Sequence, residues 1–260
     1  MVFTCGVPPT SSTSKVLVSL GLGPESKIRK EANSWLSLRK SRQLAMSSTP
    51  RFSYSQLGED AILQANLPDQ VGFYVDIGSG HPTEGSNTYS LYLKGWRGLL
   101  VDPIASNIAL SRAVRPHDES VVGLCSSTTG GSVEFFEFDV YQYSTMLPER
   151  AREVEALGHT IKSTYQLIKT RISDLLPELV PPGPTVLSID VEGAELEVLN
   201  GNSWDQFRPD LICVEEWEPP LKKPTEVLSY LSDRGYELIA VTGFSSIYHL
   251  SLDRLAFPVN

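Results

Sequence analysis

The chain has 260 residues, 41% of them apolar, a net charge of −9 and an isoelectric point near 5.0. That length suits one large domain or one domain with an appendage, and the apolar content is that of a globular protein. The acidic balance argues against a nucleic-acid partner, which needs basic charge to displace counterions, and no apolar run approaches the roughly 18 residues of a membrane helix.

Charge is unevenly spread. Residues 1–50 hold seven Lys/Arg and two acids, or +5, so the remainder carries −14. The first fifty residues are rich in Ser and Thr and lack the apolar core and cleavage site of a secretory signal. They read as an N-terminal extension: a tail, then a helix over 24–46 anchored by Ile28, Trp35, Leu38 and Leu44. A basic, acid-poor, Ser-rich start is also the composition of an organelle transit peptide. The expected division is an extension over 1–50 and a domain over 51–260, with a cytoplasmic location. Cys5, Cys125 and Cys213 form no close pair, so they give neither a disulfide framework nor a zinc set. Cys125 and Cys213 sit in apolar runs as small hydrophobes, which fits a reducing compartment.

From residue 53 onward helices and strands alternate. "SYSQLGEDAILQANL" predicts a helix capped by Ser55, with Glu59 and Asp60 in its first turns. "GFYVDIG" is a short buried strand, "NTYSLYLKG" a helix stopped by Gly95, "GLLVDP" a second strand, "NIALSRAV" a helix and "SVVGLC" a third strand. "GGSVEFFEFDV" is a strand after a glycine turn and "LPERAREVEALG" a helix. "STYQLIKTRISDLL" runs from strand into helix. "TVLSIDVEGAELEVLNG" is a strand, an acidic loop and a helix, and "DLICVEEW" is a buried strand. "TEVLSYLSDRGYELIAV" is helix, glycine stop and strand, and "SSIYHLSLDRLAF" is strand-like. This order predicts an α/β, doubly wound, mostly parallel sheet covered by helices on both faces. Its central strands are 73–77, 98–102, 120–125, 185–190 and 211–216. Ligands in such sheets bind at the carboxyl ends of the strands, and Asp76, Asp102, Asp190 and Glu215 all lie there.

The loop after the first strand reads "DIGSGHPTEG". A dinucleotide fingerprint needs G-x-G-x-x-G. Gly78 and Gly80 fill two slots, but Thr83 stands in the third. A carboxylate at Asp76 would repel a pyrophosphate, which wants bare backbone N–H groups. A cationic ligand would welcome it. S-adenosylmethionine carries a sulfonium and an ammonium but no phosphate, and Asp102 can accept from its ribose hydroxyls. The plainer reading is that the glycines serve tight turns and the acids cap helices.

The segments "SYSQLGEDAIL", "GFYVDIGSGHPTEGSNTYSLYLKGWRGLLVDP", "KTRISDLL", "VLSIDVEGAELEVLNG" and "LICVEEW" together resemble the FkbM family of S-adenosylmethionine-dependent methyltransferases over roughly residues 53–220. The resemblance implies a class I methyltransferase fold with a seven-stranded sheet, carrying here a small inserted hairpin/helix segment. It also implies methylation of a hydroxyl oxygen, often on a sugar. Asp76, Gly78 and Gly80 match the family's cofactor loop, and Ser86, Asn87 and Thr88 match its "SNT". Asp102 stands where the family more often has Glu. Asp190, Glu192 and Glu195 match "DVEGAE", and Glu215 matches the acid ending the next strand. "SGHPTEG" departs from the commoner "GANDG". Residues expected at the cofactor are Gln56, Asp76, Gly78, Ser79, Gly80, Asn87, Asp102, Pro103, Ser126 and Asp190.

A sugar hydroxyl is a poor nucleophile and calls for a base. Asp190 and Glu215 end neighbouring strands. One serves as base with its pKa raised by the other, or both ligate Mg²⁺, with Glu192 as a third ligand. Glu192 and Glu195 also suit a helix N-terminus. His81 is the next candidate base. The insertion over 139–170 offers Tyr141, Tyr143, Ser144 and Thr145 as a substrate wall, or as ordinary hairpin packing. Glu216 and Trp217 lie beside the same pocket, Trp217 as a sugar platform or a core aromatic. The acceptor is expected to be a small uncharged molecule or carbohydrate, with no nucleic-acid or membrane partner. The competing readings are an NAD-dependent oxidoreductase on a Rossmann sheet and a non-catalytic relative that only binds cofactor.

Overall fold

A computed structural model describes residues 53–178, 180–216, 219–221 and 223–251. The expected helix over 24–46, the rest of the N-terminal extension and Trp217 lie outside them.

The elements run α1 (Glu59–Ala65), β1 (Phe73–Ile77), α2 (Tyr89–Leu93), β2 (Arg97–Asp102), α3 (Ala105–Val114), β3 (Glu119–Val122), β4 (Leu124–Cys125) and β5 (Ser132–Phe138). A 3₁₀ turn at Tyr141–Tyr143 follows, then α4 (Pro148–Ala156), β6 (Ile161–Thr170), α5 (Ile172–Leu175), β7 (Thr185–Ile189) and α6 (Glu195–Asn200). Last come β8 (Leu211–Glu215), α7 (Glu226–Ser232), β9 (Tyr236–Thr242) and β10 (Ser245–Leu250).

Seven strands form the main sheet in the order β3-β2-β1-β7-β8-β10-β9. Neighbours are parallel from β3 to β8, while β10 runs antiparallel to both β8 and β9. Order reverses between β1 and β7, which opens a crevice beyond their carboxyl ends. Both faces are covered, so β1 is buried at every position. Successive side chains alternate between faces. Val75, Ile77, Leu99, Val101, Leu187 and Ile189 pack against α6 and α7, and Tyr74, Leu100, Val186 and Cys213 pack against Leu63, Leu91 and Trp96.

A second sheet, β4-β6-β5, is built from 124–170, so the insertion starts earlier than the expected 139. Here the expected third strand is corrected. "SVVGLC" splits at Gly123, so that β3 stays in the main sheet and β4 pairs with β6. The start of α1 is corrected too. Gly58, at φ 93°, holds the N-cap position, while Ser55 Oγ, three residues earlier, accepts from the first-turn amide of Asp60 at 3.2 Å and donates to its carboxylate. At Gly95 the chain turns at φ 94°, as the helix stop requires.

Candidate active site

A cavity of about 640 Å³ opens at the carboxyl ends of β1, β2 and β7. Gly78, Ser79 and Gly80 form one side, Asp102, Pro103 and Ile104 another, and Asp190 and Glu192 the far end. Ser53–Gln56 come in from the N-terminal side, tied to the glycine loop by a bridge between Ser55 and Gly85. The insertion closes the remainder with Leu124, Phe135, Tyr141, Gln142, Ser144 and Met146.

The glycine loop has this path for steric reasons. Gly78 and Gly80 have φ of 75° and 53°, a region that side-chain-bearing residues rarely enter. A Cβ on Gly78 would lie 1.7 Å from the Asp190 carbonyl oxygen. The loop's donors are all turned inward. Gly78 and Ser79 N–H donate to the Val101 carbonyl at 2.8 and 3.2 Å, and Gly80 N–H donates to Asp102 Oδ2 at 2.8 Å. A dinucleotide's pyrophosphate would find no cradle here.

Asp102 lines the cavity but is already well occupied. Its Oδ1 accepts from the Ile104 amide at 2.8 Å and from Asn107 Nδ2 at 3.2 Å, besides the Gly80 bond on Oδ2. A carboxylate has about four acceptor positions. One remains, so a vicinal diol meets Asp102 through one hydroxyl and not two. Burial pushes this acid up to about 6, against the pull of its amide donors.

Asp76 is corrected. It lies behind the loop, accepting from Thr88 Oγ1 at 2.5 Å, and is absent from the cavity wall. Burial raises its pKa, while the nearby Arg115 guanidinium opposes the rise. Arg115 is fully buried, and donates to Asp118 (2.8 Å), the Tyr74 hydroxyl (2.7 Å) and Thr88 Oγ1 (3.0 Å). The conspicuous strand-end acid thus belongs to the scaffold under the loop. Asn87 is corrected for the same reason: its Nδ2 reaches Ser188 Oγ at 3.2 Å inside the fold. Ser126, fully buried, donates to Glu197 at 2.6 Å and fixes α6, while its neighbours Leu124 and Cys125 reach the cavity.

Asp190 and Glu215 follow from the sheet register. Ile189 pairs with Val214, so the next residues stand side by side at the ends of β7 and β8. Together with Glu192 they present carboxylate oxygens all within 4.8 Å of one another. Burial first, then repulsion from Glu215, pushes Asp190 well above the usual carboxylate range, and the two carboxyls share a hydrogen bond. Burial and Glu192 push Glu215 to about 7, and burial and Asp190 push Glu192 to about 8. Glu195 lies outside the trio; its Oε1 accepts from the Gly193 amide at 2.9 Å, the helix-start role.

Glu192 has φ 57°, the one side-chain-bearing residue with positive φ among the described residues. Such a conformation costs about 1–3 kcal/mol and persists only where its surroundings impose it. The insertion imposes it. Thr145 Oγ1 donates to the Glu192 carbonyl at 3.1 Å, and Arg150 on α4 lies 3.7 Å from its carboxylate. Thr145 is therefore corrected from a substrate contact to a buried support. Tyr143 is corrected as well: it packs on His159, with ring centroids 4.4 Å apart, and the 3₁₀ turn sends Tyr141 and Gln142 into the cavity instead. Glu216 is engaged by the Tyr248 hydroxyl at 2.7 Å and by Thr225, which removes it from the acceptor side.

His81 lines the cavity, but its Nδ1 is not a free base. That atom accepts from the amides of Thr83 (3.3 Å) and Glu84 (3.0 Å), which assigns the ring proton to Nε2. In this tautomer His81 is a donor, correcting its place as a reserve base.

Residues 76–238 match the methyltransferase FkbM domain. The chain belongs to that family. The FkbM match begins at Asp76 and spans the glycine loop, the acid trio and the whole insertion. A curated relative, methyltransferase sdnD of Sordaria araneosa, is 29% identical over 225 residues, covering 72% of this chain and 82% of that protein. A TehB-like SAM-dependent methyltransferase of known structure from Corynebacterium glutamicum aligns over 85% of this chain and 100% of its own, at 12% identity and a TM-score of 0.39. As an FkbM protein the chain is a methyltransferase, and its sheet is the mostly parallel seven-stranded sheet of the class I fold. Among the described residues no helix is long and apolar enough to cross a membrane.

Tyr141 is the cavity residue that the pattern did not single out from its neighbours. Its ring lies over Gly80, with Cε2 3.2 Å and the hydroxyl 3.6 Å from where a Cβ would stand. Only the tertiary path of the 3₁₀ turn separates it from Tyr143.

Proposed function

We propose that the protein transfers the methyl group of S-adenosylmethionine to a hydroxyl oxygen of a sugar or similar polyol. One observation carries the cofactor reading. The described residues lining the cavity include four carboxylates, Glu84, Asp102, Asp190 and Glu192, and no Lys or Arg. Such a site favours a cationic ligand and repels a phosphorylated one. The residues fit this cofactor. Asp102 keeps an acceptor position for a ribose hydroxyl, and the Ser79 hydroxyl is buried with no hydrogen-bond partner among the described residues. When bound, S-adenosylmethionine supplies an electrophilic methyl carbon on a sulfonium.

The chain's own part is alignment and proton removal. The glycine loop and the insertion hold the two substrates in line, which can supply much of the acceleration. The trio stands where an acceptor hydroxyl would meet the cavity's far end. The Asp190–Glu215 pair takes the hydroxyl proton as the new C–O bond forms, through Asp190, the member that lines the cavity, with Glu215 beside it at the end of β8. Asp190, Glu192 and Glu215 also suit a hard cation such as Mg²⁺: they are oxygen donors only, and Glu215 Oε2 is buried without a hydrogen bond, while Glu192 Oε2 faces Arg150 at 3.7 Å. An ion there would acidify a bound hydroxyl.

Calorimetry tests the cofactor: S-adenosylhomocysteine should bind and NAD should not. Incubation with S-adenosylmethionine and a panel of glycosides and polyols, followed by mass spectrometry, tests the acceptor class. Tight NAD binding without a response to S-adenosylhomocysteine would sink the proposal.

A further inference from the structure

S-adenosylmethionine carries an anionic group as well as its cations: the methionyl carboxylate. In this cavity that group has an unusual problem. No Lys or Arg lines the wall among the described residues, and four carboxylates do. The usual substitute, a row of backbone N–H groups, is spent as well. Gly78 and Ser79 donate to Val101, and Gly80 donates to Asp102. Among the described residues, what is left to hold the carboxylate is a neutral side-chain donor.

Two such donors meet beside the loop. Tyr141 lies over Gly80 and is half-buried, its hydroxyl 3.6 Å from where a Gly80 Cβ would stand, and a protonated phenol has an O–H to donate. Burial, with the charges of Asp102, Glu84 and Asp190, holds the phenol protonated. His81 is fixed from the other side. With Nδ1 taken by the Thr83 and Glu84 amides, Nε2–H is its remaining donor. The same "HPTE" turn that departs from the family's commoner loop therefore orients an imidazole donor at the cavity.

We propose that the Tyr141 hydroxyl and His81 Nε2–H form the donor pair that binds the methionyl carboxylate of the cofactor. The proposal rests on the S-adenosylmethionine reading above. It makes His81 and Tyr141 cofactor-binding residues, leaves the trio to the acceptor, and explains how a zwitterion binds in an all-acid site. The ammonium and sulfonium take the carboxylates, and neutral donors take the anion.

The test compares two ligands by calorimetry: S-adenosylhomocysteine and S-adenosyl-3-thiopropylamine, which is the same molecule without its carboxylate. Tyr141→Phe keeps the ring over Gly80 and removes only the hydroxyl. It should weaken S-adenosylhomocysteine by roughly tenfold to a hundredfold, the worth of a hydrogen bond to a charged group, and leave the amine unchanged. His81→Asn keeps an oxygen acceptor for the two amides, removes Nε2–H and should show the same selectivity. Equal losses for both ligands, or no loss for either, overturn the donor pair while leaving the cofactor reading intact. A wild-type protein that binds no S-adenosylhomocysteine overturns both.

Discussion

Gly78 and Asp190 meet so closely that a Cβ on the glycine would lie 1.7 Å from the aspartate's carbonyl oxygen. The contact joins the end of β1 to the end of β7 and so locks the cofactor loop to the loop that carries the acids. Gly78→Ala should push the two loops apart, beyond the strain of an alanine at φ 75°. S-adenosylhomocysteine binding should be lost even if far-ultraviolet circular dichroism shows the sheet intact. Normal affinity in that variant would show that the two loops are not coupled.

Glu215→Gln and Asp190→Asn test the acid trio. Each should cut turnover by roughly 10²–10⁴-fold, the range for a general base. S-adenosylhomocysteine affinity should change little in Glu215→Gln, because Glu215 is not among the residues that line the cavity. Chelation separates the two mechanisms. Activity lost with EDTA and restored by Mg²⁺ points to a bound ion, and indifference points to a carboxylate base.

The same acids set a pH dependence of stability. Asp102, Glu215 and Glu192 titrate at about 6, 7 and 8 in the folded protein, each above its unfolded value. The folded state therefore binds more protons than the unfolded state, and stability falls as pH rises through this range. Thermal unfolding of the ligand-free protein should move to lower temperature between about pH 5 and pH 8. A Glu192→Gln/Glu215→Gln double variant should flatten the fall. A midpoint that rises across the same range would contradict these assignments.

Arg115→Met should unfold the protein more readily by about 3–5 kcal/mol, the usual penalty for removing one partner of a buried ion pair. Arg115 and Asp118 are both fully buried, and the guanidinium also holds Thr88 and Tyr74. Urea denaturation measures the loss. A change within the range of an exposed pair, about 1 kcal/mol or less, would mean that solvent reaches the site.

Much of the fold was legible because it is local. Alternating buried strands, helix-stopping glycines and strand-end acids follow from periods of two and 3.6 and from backbone sterics. Asp102 and Asp190 are at the cavity because they end strands that neighbour β1. What sequence could not show is which polar groups are already taken. Asp76 looks like a ligand contact until Thr88 and Arg115, 12 and 39 residues away in sequence, are folded against it. Asn87, Ser126 and Thr145 read as free donors for the same reason, and each is engaged within the protein. Tyr141 and Tyr143 differ only by two residues of a 3₁₀ turn, a distinction that no periodicity resolves.

The insertion forms its own three-stranded sheet, and no strand of it pairs with the seven-stranded one. It nevertheless supplies a wall of the cavity and two of the contacts that hold Glu192. The insertion thereby touches both halves of the site, through Tyr141 over the glycine loop and through its hold on Glu192. Drift within 124–170 outside Tyr141 can remodel what is offered a methyl group while the glycine loop and Asp102 stay fixed. A lineage can diversify its products in this way without rebuilding its enzyme.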